Sequence, residues 1–318
     1  MNSVRREEYH SVPALVLEND LLRVVVLPDR GSKMASLFYK PGIVELLWSP
    51  SDGLYPPARY AEAYDAWHST GFDEMFPSIA PCNYEAYPWA GTAIPDHGEV
   101  WSLPWAWSIE HDAIRLEVYG VRFPYRLNKR VRLQPGYVEI AYQATNLSGF
   151  DLDFLWAAHP LFNAAPDTEI VVPPGMDSIV NAAAGTRLPQ YGRVYRFPRC
   201  QLADGGCLDL GRIPPRNATG YQKYYFQGAA TEGWCELRYP TNGLAVRLTF
   251  PVQQVPYLGM WVNEGGWNGD YNVAPEPATG GMDRIDAARL WGMNSVLPAR
   301  QSRDWWLRIS VSQHTTGT

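Results

Sequence analysis

Three residues in this chain are of types that move protons, and each has neighbours that could fix it in place. Glu276 lies between Pro275 and Pro277. Proline locks its own φ and restricts the residue before it, so this carboxylate sits on stiff backbone. His159 follows the apolar run FLWAA and directly precedes Pro160, and His97 lies between Asp96 and Gly98 in a Trp-rich stretch. A carboxylate and two imidazoles make a working acid–base set if they converge. Each also has a plainer reading. A Glu between prolines can be a solvated loop residue, a His before Pro can be structural at a strand end, and a His in Asp-His-Gly can be a turn residue held by Asp96. Spacing along the chain leaves both readings open. His68 and His111 lack comparable surroundings.

Other chemistries find less in the sequence. His97, Glu99 and His159 could be assembled as a metal set, but there is no HxH or HExxH, so no metal is expected. No Gly-rich stretch sits between a strand and a helix to hold nucleotide phosphates. There is no GxSxG elbow, and no cysteine has a recognisable catalytic context. The aromatic content points to a sugar: 13 Trp and 19 Tyr are available for stacking. A pyranose has an apolar C–H face that packs on a ring, and hydroxyls that need fixed polar partners. Trp101, Trp105, Trp261 and Trp267 lie near the candidate groups in sequence, although a large β sandwich also buries many Trp in its core.

The elements that must position these groups read as strands. The 318 residues carry 27 Gly and 27 Pro beside abundant Tyr, Trp and Val, a composition suited to many short strands and turns. Strands are predicted over 22–31, 33–40 and 113–121. A hairpin is predicted from 125–133 and 137–145 about Gln134-Pro135-Gly136, and a single strand over 151–160. Further strands are expected at 223–227, 234–239, 244–250 and 305–313, the middle two joined through Asn242-Gly243. Residues 49–105 hold no period and read as a long functional loop region. Residues 186–220 read as irregular. One helix is expected over 283–291, capped by Asp283 and ended by Gly292. No linker or repeat divides the chain, so residues 1–318 are read as one all-β domain, a large antiparallel two-sheet sandwich.

Charge and cysteine usage bound the partners. The formal net charge is -6 with no basic stripe, which argues against nucleic acid and fits a neutral substrate better than a polyanion. Cys82, Cys200, Cys207 and Cys235 show no CxxC spacing and read as reduced thiols. No apolar run suggests a signal peptide or membrane span, so a cytoplasmic location is expected and the sequons at Asn146 and Asn217 carry no meaning.

Taken together, these motifs resemble the aldose 1-epimerase (galactose mutarotase-like) family, in that family's order. Val26-Leu27-Pro28 to Gly31-Ser32 is similar to its early LP-x-x-G strand end. GFDEMFPSIAP resembles its FP segment, DHGEVWSLPW its HG…W segment and HPLFN (from His159) its HPYFN motif. PYLGMWVNEGG with APEPATG resembles its EP-x-TG region, and Leu297-Pro298 its closing turn. HPLFN and EPATG are the specific matches, and together the motifs span nearly the whole chain.

The resemblance implies a β-supersandwich that interconverts the anomers of a free aldose without a cofactor. It assigns Glu276 as the general base on the C1 hydroxyl and His159 as the acid on the ring oxygen. His97 would help orient that end of the sugar. On this view His159 must keep its pKa near or above ambient pH, with a nearby carboxylate to hold it there. The chain departs from the family in lacking an Arg near the FP and HG segments. Trp101 stands where hexose-6-phosphate mutarotases carry Arg, which disfavours a phosphosugar. Asp73, Glu74 and Glu99 are then the expected acceptors for sugar hydroxyls, with Trp101 and Trp261 as ring contacts; no residue is placed as the family's additional sugar-binding Asp, for which Asp270 is a candidate by proximity alone. A small sugar is the expected partner, with a homodimer as a candidate assembly. The alternatives are a non-catalytic carbohydrate-binding protein on the same fold, or another sugar isomerase, lyase or hydrolase using the same pocket.

Overall fold

Alternating apolar sequence builds two packed antiparallel sheets. The computed structural model of the chain describes residues 2–64, 69–183, 185, 187–202, 205–216 and 220–313; His68 and Asn217 lie outside them. Along the larger sheet the strand order is Ser3–Tyr9, Val12–Glu18, Leu22–Leu27, Lys33–Tyr39, Phe72–Met75, Ala157–Pro160, Tyr271–Ala278, Tyr257–Glu264, Tyr221–Phe226, Ser178–Asn181 and Val194–Arg196. The smaller sheet runs Glu169–Val171, Trp234–Tyr239, Leu244–Thr249, Ser302–Gln313, Tyr137–Asn146, Tyr125–Gln134, Ala113–Tyr119 and Ala106–Glu110. Both bear out the expected all-β, two-sheet sandwich.

The facing sides of the sheets fill one apolar core that includes Val24, Phe72, Leu127, Val131, Ile140 and Leu307. The Tyr125–Gln134 strand alternates strictly between buried and half-buried positions, as a strand with one face on a core must. That alternation also turns Lys129 inward. A buried ammonium needs partners, and Lys129 finds Glu74 from the other sheet at 3.2 Å and the Ser32 carbonyl at 2.7 Å. The two expected hairpins form, with Gln134 paired to Tyr137 and Tyr239 to Leu244. Gly136 and Gly243 have the positive φ that their turns require.

Several expectations need correction. Residues 151–160 do not make one strand. Leu152–Phe154 pairs with Ser295–Leu297 in a small separate sheet, and Ala157–Pro160 enters the large one. The stretch around Glu276, for which the sequence leaves a solvated loop open, is a strand, Tyr271–Ala278, buried along its whole length. The irregular reading of 186–220 overlooked the short strands Val194–Arg196, Arg199–Gln201 and Cys207–Asp209. The first two strands, Ser3–Tyr9 and Val12–Glu18, were also missed. The helix is shorter than expected, Ile285–Leu290, with Arg284 at its N-cap and no side-chain cap; Asp283 is turned elsewhere. Gly292 does follow the helix, at φ +66°. Among the described residues no helix is long and apolar enough to cross a membrane.

Candidate active site

Strand register brings the site together. Antiparallel partners share a face, and so do residues two apart on one strand. Glu276 pairs with Gly259, and Gly259 with Tyr225. Lys223, two residues from Tyr225, pairs with Trp261. Lys223, Tyr225, Trp261 and Glu276 therefore project from one face of the large sheet. On the other flank Ala278 pairs with Ala157, and His159 lies two residues beyond it. His159 thus joins the same face, while Ala158 and Glu74 point the opposite way, towards the second sheet. On that flank the Glu276 strand is bridged at Asn272, Val273 and Ala278 but not from Ala274 to Pro277. Prolines, which cannot donate to a ladder, fit where pairing is interrupted.

Gly259 stands between Tyr225 and Glu276 in this row, where a side chain would be crowded. A Cβ built at Gly259 would stand 3.1 Å from the Tyr225 ring and 3.4 Å from the Glu276 Cβ. The expected result for Gly259→Val is overpacking that lowers stability by about 1–3 kcal/mol, read as a reduced denaturation midpoint in urea. An unchanged midpoint would show that the row has room to spare.

The third group arrives from the long loop. Gly98, at φ +74°, bridges Phe76, where an added Cβ would stand 2.1 Å from the Phe76 carbonyl oxygen. The His97 amide donates to the Ile79 carbonyl at 2.6 Å, and the Glu99 amide to Phe76 at 2.8 Å. Pinned in this way, His97 hangs beside His159 with ring centroids 5.2 Å apart. Tyr64 stacks on His97 at 3.8 Å and meets His159 edge-on at 5.7 Å.

These side chains form two histidine–carboxylate pairs. His159 Nδ1 lies 3.0 Å from Glu276 Oε1, and His97 Nδ1 lies 3.0 Å from Asp96 Oδ1. Lys223 Nζ donates to Glu276 Oε2 and lies 3.5 Å from Asp283 Oδ1. Asp283 Oδ1 also accepts the Tyr225 hydroxyl at 2.7 Å. Burial opposes ionisation of Glu276, but the Lys223 ammonium and the His159 ring outweigh it and hold its pKa at about 2. Burial also works against the Lys223 charge, yet Asp283 and Glu276 raise its pKa. For Asp283 burial dominates over Lys223 and pushes the carboxyl up.

At His159 the electrostatics run against the acid role that the resemblance implies. Burial outweighs Glu276, so its pKa falls below the ordinary 6.5 rather than rising. At neutral pH the ring is uncharged. An ionised carboxylate at Nδ1 fixes the proton there and leaves Nε2 as a bare acceptor.

The cavity these groups face has a volume of about 460 Å³, in the range of small-molecule sites. Tyr64, Tyr221, Trp261 and Trp267 supply aromatic walls. Trp261 lies 5.6 Å from Tyr221 and 6.2 Å from Trp267, ring to ring. Asn263 holds the Trp267 turn, accepting from its amide and donating to its carbonyl.

Glu276, His159, His97 and Trp261 therefore converge, while five other expected contacts do not line the cavity. Asp73 lies behind Tyr64, accepting its hydroxyl at 3.0 Å and pairing with Lys33. Glu74 faces the core, where Lys129, Tyr142 and Trp156 donate to it. Glu99 is fully buried and accepts from Tyr60, Tyr125 and the Arg122 amide, which also removes it from any metal set. Trp101 is buried, with its indole N–H on the Asp96 carbonyl at 2.9 Å. Asp270 lines a separate cleft with Trp48 and Arg216, where burial pushes its pKa up to about 6 against the pull of Arg216. Asp73 through Oδ2, Glu74, Glu99 and the Trp101 indole N–H have their hydrogen-bond partners within the protein framework. Among the described residues no group of three or more His, Cys, Asp and Glu side chains could hold a metal ion.

Lys223 and Asp283 were not foreseen as site residues. A signal for Lys223 existed: it is a lone Lys alternating with Tyr221 and Tyr225 in an otherwise apolar and aromatic strand. Asp283 gave none, because an Asp before a helical stretch reads as a cap. Both Met282 and Asp283 have left-handed backbones, φ +64° and +61°. Such residues cost on the order of 1–3 kcal/mol each and persist only where their surroundings over-determine them. Here the Asp283 carbonyl is fixed by the amides of Ile79 and Ala80 at 3.0 and 2.8 Å, and its side chain is aimed into the cavity.

No family model matches the chain, and no curated protein sequence matches it significantly. Solved structures do. A galactose mutarotase-like protein from Clostridium acetobutylicum superimposes with a TM-score of 0.72 at 13% identity, over 98% of this chain and 99% of that one. One from Lactobacillus casei gives 0.67 at 19% identity, over 94% and 100%. An Escherichia coli K12 protein described as a candidate aldose 1-epimerase gives 0.67 at 17% identity, over 98% and 100%. The chain therefore has the galactose mutarotase-like fold along nearly its whole length.

Proposed function

We propose that the protein is an aldose 1-epimerase acting on an unphosphorylated sugar without a cofactor. The observation that carries this reading is the pair of carboxylate-oriented imidazoles, His159 on Glu276 and His97 on Asp96, side by side in an aromatic-walled cavity. Anomer exchange needs one group to take the C1 hydroxyl proton while another protonates the ring oxygen, and two such imidazoles can serve both ends of one anomeric centre. His159, neutral with Nε2 bare, takes the hydroxyl proton, and ionised Glu276 stabilises the imidazolium that forms. His97, when protonated, gives its Nε2 proton to the ring oxygen as the C1–O5 bond breaks and the C1 carbonyl forms. The C1–C2 bond turns, and the reverse transfers close the ring as the other anomer. On this reading Glu276 positions His159 instead of acting as the base, because the Lys223 ammonium and the His159 ring hold its pKa at about 2 and leave it a weak proton acceptor.

Charge supports an unphosphorylated sugar. Among the described residues lining the cavity, Lys223 is the sole Lys or Arg, and it is shared by two carboxylates. The likeness to a candidate aldose 1-epimerase agrees with this reading. A freshly dissolved α-aldose should reach its anomeric equilibrium faster with the protein than in buffer, followed by polarimetry or by the anomeric proton signals in NMR. If no hexose or pentose equilibrates faster than the blank, the reading fails.

A further inference from the structure

We infer that Lys223 and Asp283 form a donor–acceptor pair that reads the sugar hydroxyl next to the anomeric carbon, so that the site demands a free 2-hydroxyl. The inference rests on the epimerase reading and deepens it.

Four observations converge on it. Both side chains line the cavity yet lie deep in the protein, 8% exposed for Lys223 and 12% for Asp283. The ammonium has three hydrogens and two carboxylate partners, Glu276 Oε2 and Asp283 Oδ1, so one N–H remains for a ligand. Asp283 gives Oδ1 to Tyr225 and Lys223, and among the described residues its Oδ2 has no partner. The backbone that aims this carboxylate inward is left-handed at two successive non-glycine residues, and strain held in place this way marks functional positions.

A hydroxyl is a donor and an acceptor at once. It can accept from the Lys223 ammonium while donating to the Asp283 carboxylate, which an apolar or purely accepting substituent cannot match. The position of that hydroxyl follows from the sharing of Glu276. His159 binds one of its oxygens through Nδ1 and Lys223 the other, so the ring and the ammonium flank one carboxylate, and a ligand held at the ring lies beside the ammonium in the same cavity. A sugar with its anomeric hydroxyl at His159 Nε2 presents the neighbouring hydroxyl to Lys223 and Asp283.

The test compares an accepted aldose with its 2-deoxy counterpart. With the native protein the 2-deoxy sugar should show kcat/KM lower by roughly 10–100-fold, since losing it leaves charged, buried groups unpaired. Equal values would overturn the inference. Asp283→Asn keeps a side chain that tolerates the left-handed backbone but replaces the carboxylate acceptor. It should lower the rate on the parent sugar and bring the ratio between the two sugars towards one. A merely structural Asp283 would lower both rates alike and leave the ratio intact, which also overturns the inference. Should Asp283→Asn fail to fold, the comparison on the native protein still decides. If no aldose is turned over, the same two sugars are titrated against the fluorescence of Trp261 and Trp267. Tighter binding of the 2-hydroxy sugar then supports the pair while the epimerase reading falls, and equal or absent binding overturns the pair as well.

Discussion

Lys223→Met will destabilise the protein at neutral pH by about 3–5 kcal/mol, the cost of stranding a buried charge, and the loss will shrink as the pH falls. In the native protein Glu276 has a folded pKa of about 2 against an ordinary 4.5. Its contribution is therefore present above pH 4.5 and lost as pH falls through about 2, with a size of roughly 3 kcal/mol from the linkage relation. Lys223 heads the influences that hold this pKa down, and burial, the largest influence of all, pushes the other way. With methionine at 223 burial acts against the hydrogen bond and charge of the His159 ring alone, and Asp283 stays alongside as a second buried carboxyl. The folded pKa of Glu276 then rises above its unfolded value, which reverses the sign: its stabilising form is the protonated one, present below pH 4.5 and lost on raising the pH. Urea unfolding of the two proteins between pH 4 and pH 8 should show curves that diverge as pH rises. A stability difference independent of pH would show that Lys223 does not govern Glu276.

What the sequence revealed and what it hid divide along one physical line. Periodicity and turn chemistry are local, so the hairpin closed by Gly136 and that closed by Gly243 could be read directly, and from many such strands the two-sheet sandwich followed. Glu276, His159 and His97 were recognisable because each sits beside a proline or glycine that marks its backbone. Their meeting depends on register, on Glu276 facing Gly259 and His159 lying two residues beyond Ala157, and register across strands 117 residues apart leaves no local trace. The Glu276 stretch looked like a loop because prolines usually break strands; the interrupted ladder between Ala274 and Pro277 removes that objection. Glu74 and Glu99 looked like sugar acceptors because acidic side chains near a motif are assumed to be wet. Their partners, Lys129 with Tyr142 and Tyr60 with Tyr125, come from distant segments, and only the packed fold shows those acceptors already taken. Asp283 was misread for the opposite reason: a strong local rule, the helix cap, competed with a tertiary demand and lost.

His159→Asn should cost about 10²–10⁴ in kcat for anomer exchange, the usual worth of a positioned proton-transfer group, while the circular dichroism of the folded sheets is retained. The pH profile identifies which form of His159 works. If the ring acts as the base, the rate requires it neutral. Its pKa is lowered from 6.5 by burial, so its own titration costs no rate at neutrality and the rate falls as pH drops through that depressed value. Were His159 the acid, the rate would fall on raising the pH through the same value. Were Glu276 the base, with its pKa of about 2, its own titration would impose no loss until far lower pH. Glu276→Gln separates positioning from proton transfer. The amide oxygen can still accept from Nδ1 and preserve the tautomer, but it offers no charge to the imidazolium, so kcat should drop without vanishing. Because the Glu276 charge raises the His159 pKa, its removal should also move the acid limb to lower pH. A limb that stays where it was, or moves upward, would detach the two residues from each other and leave the proton to some other group in the cavity.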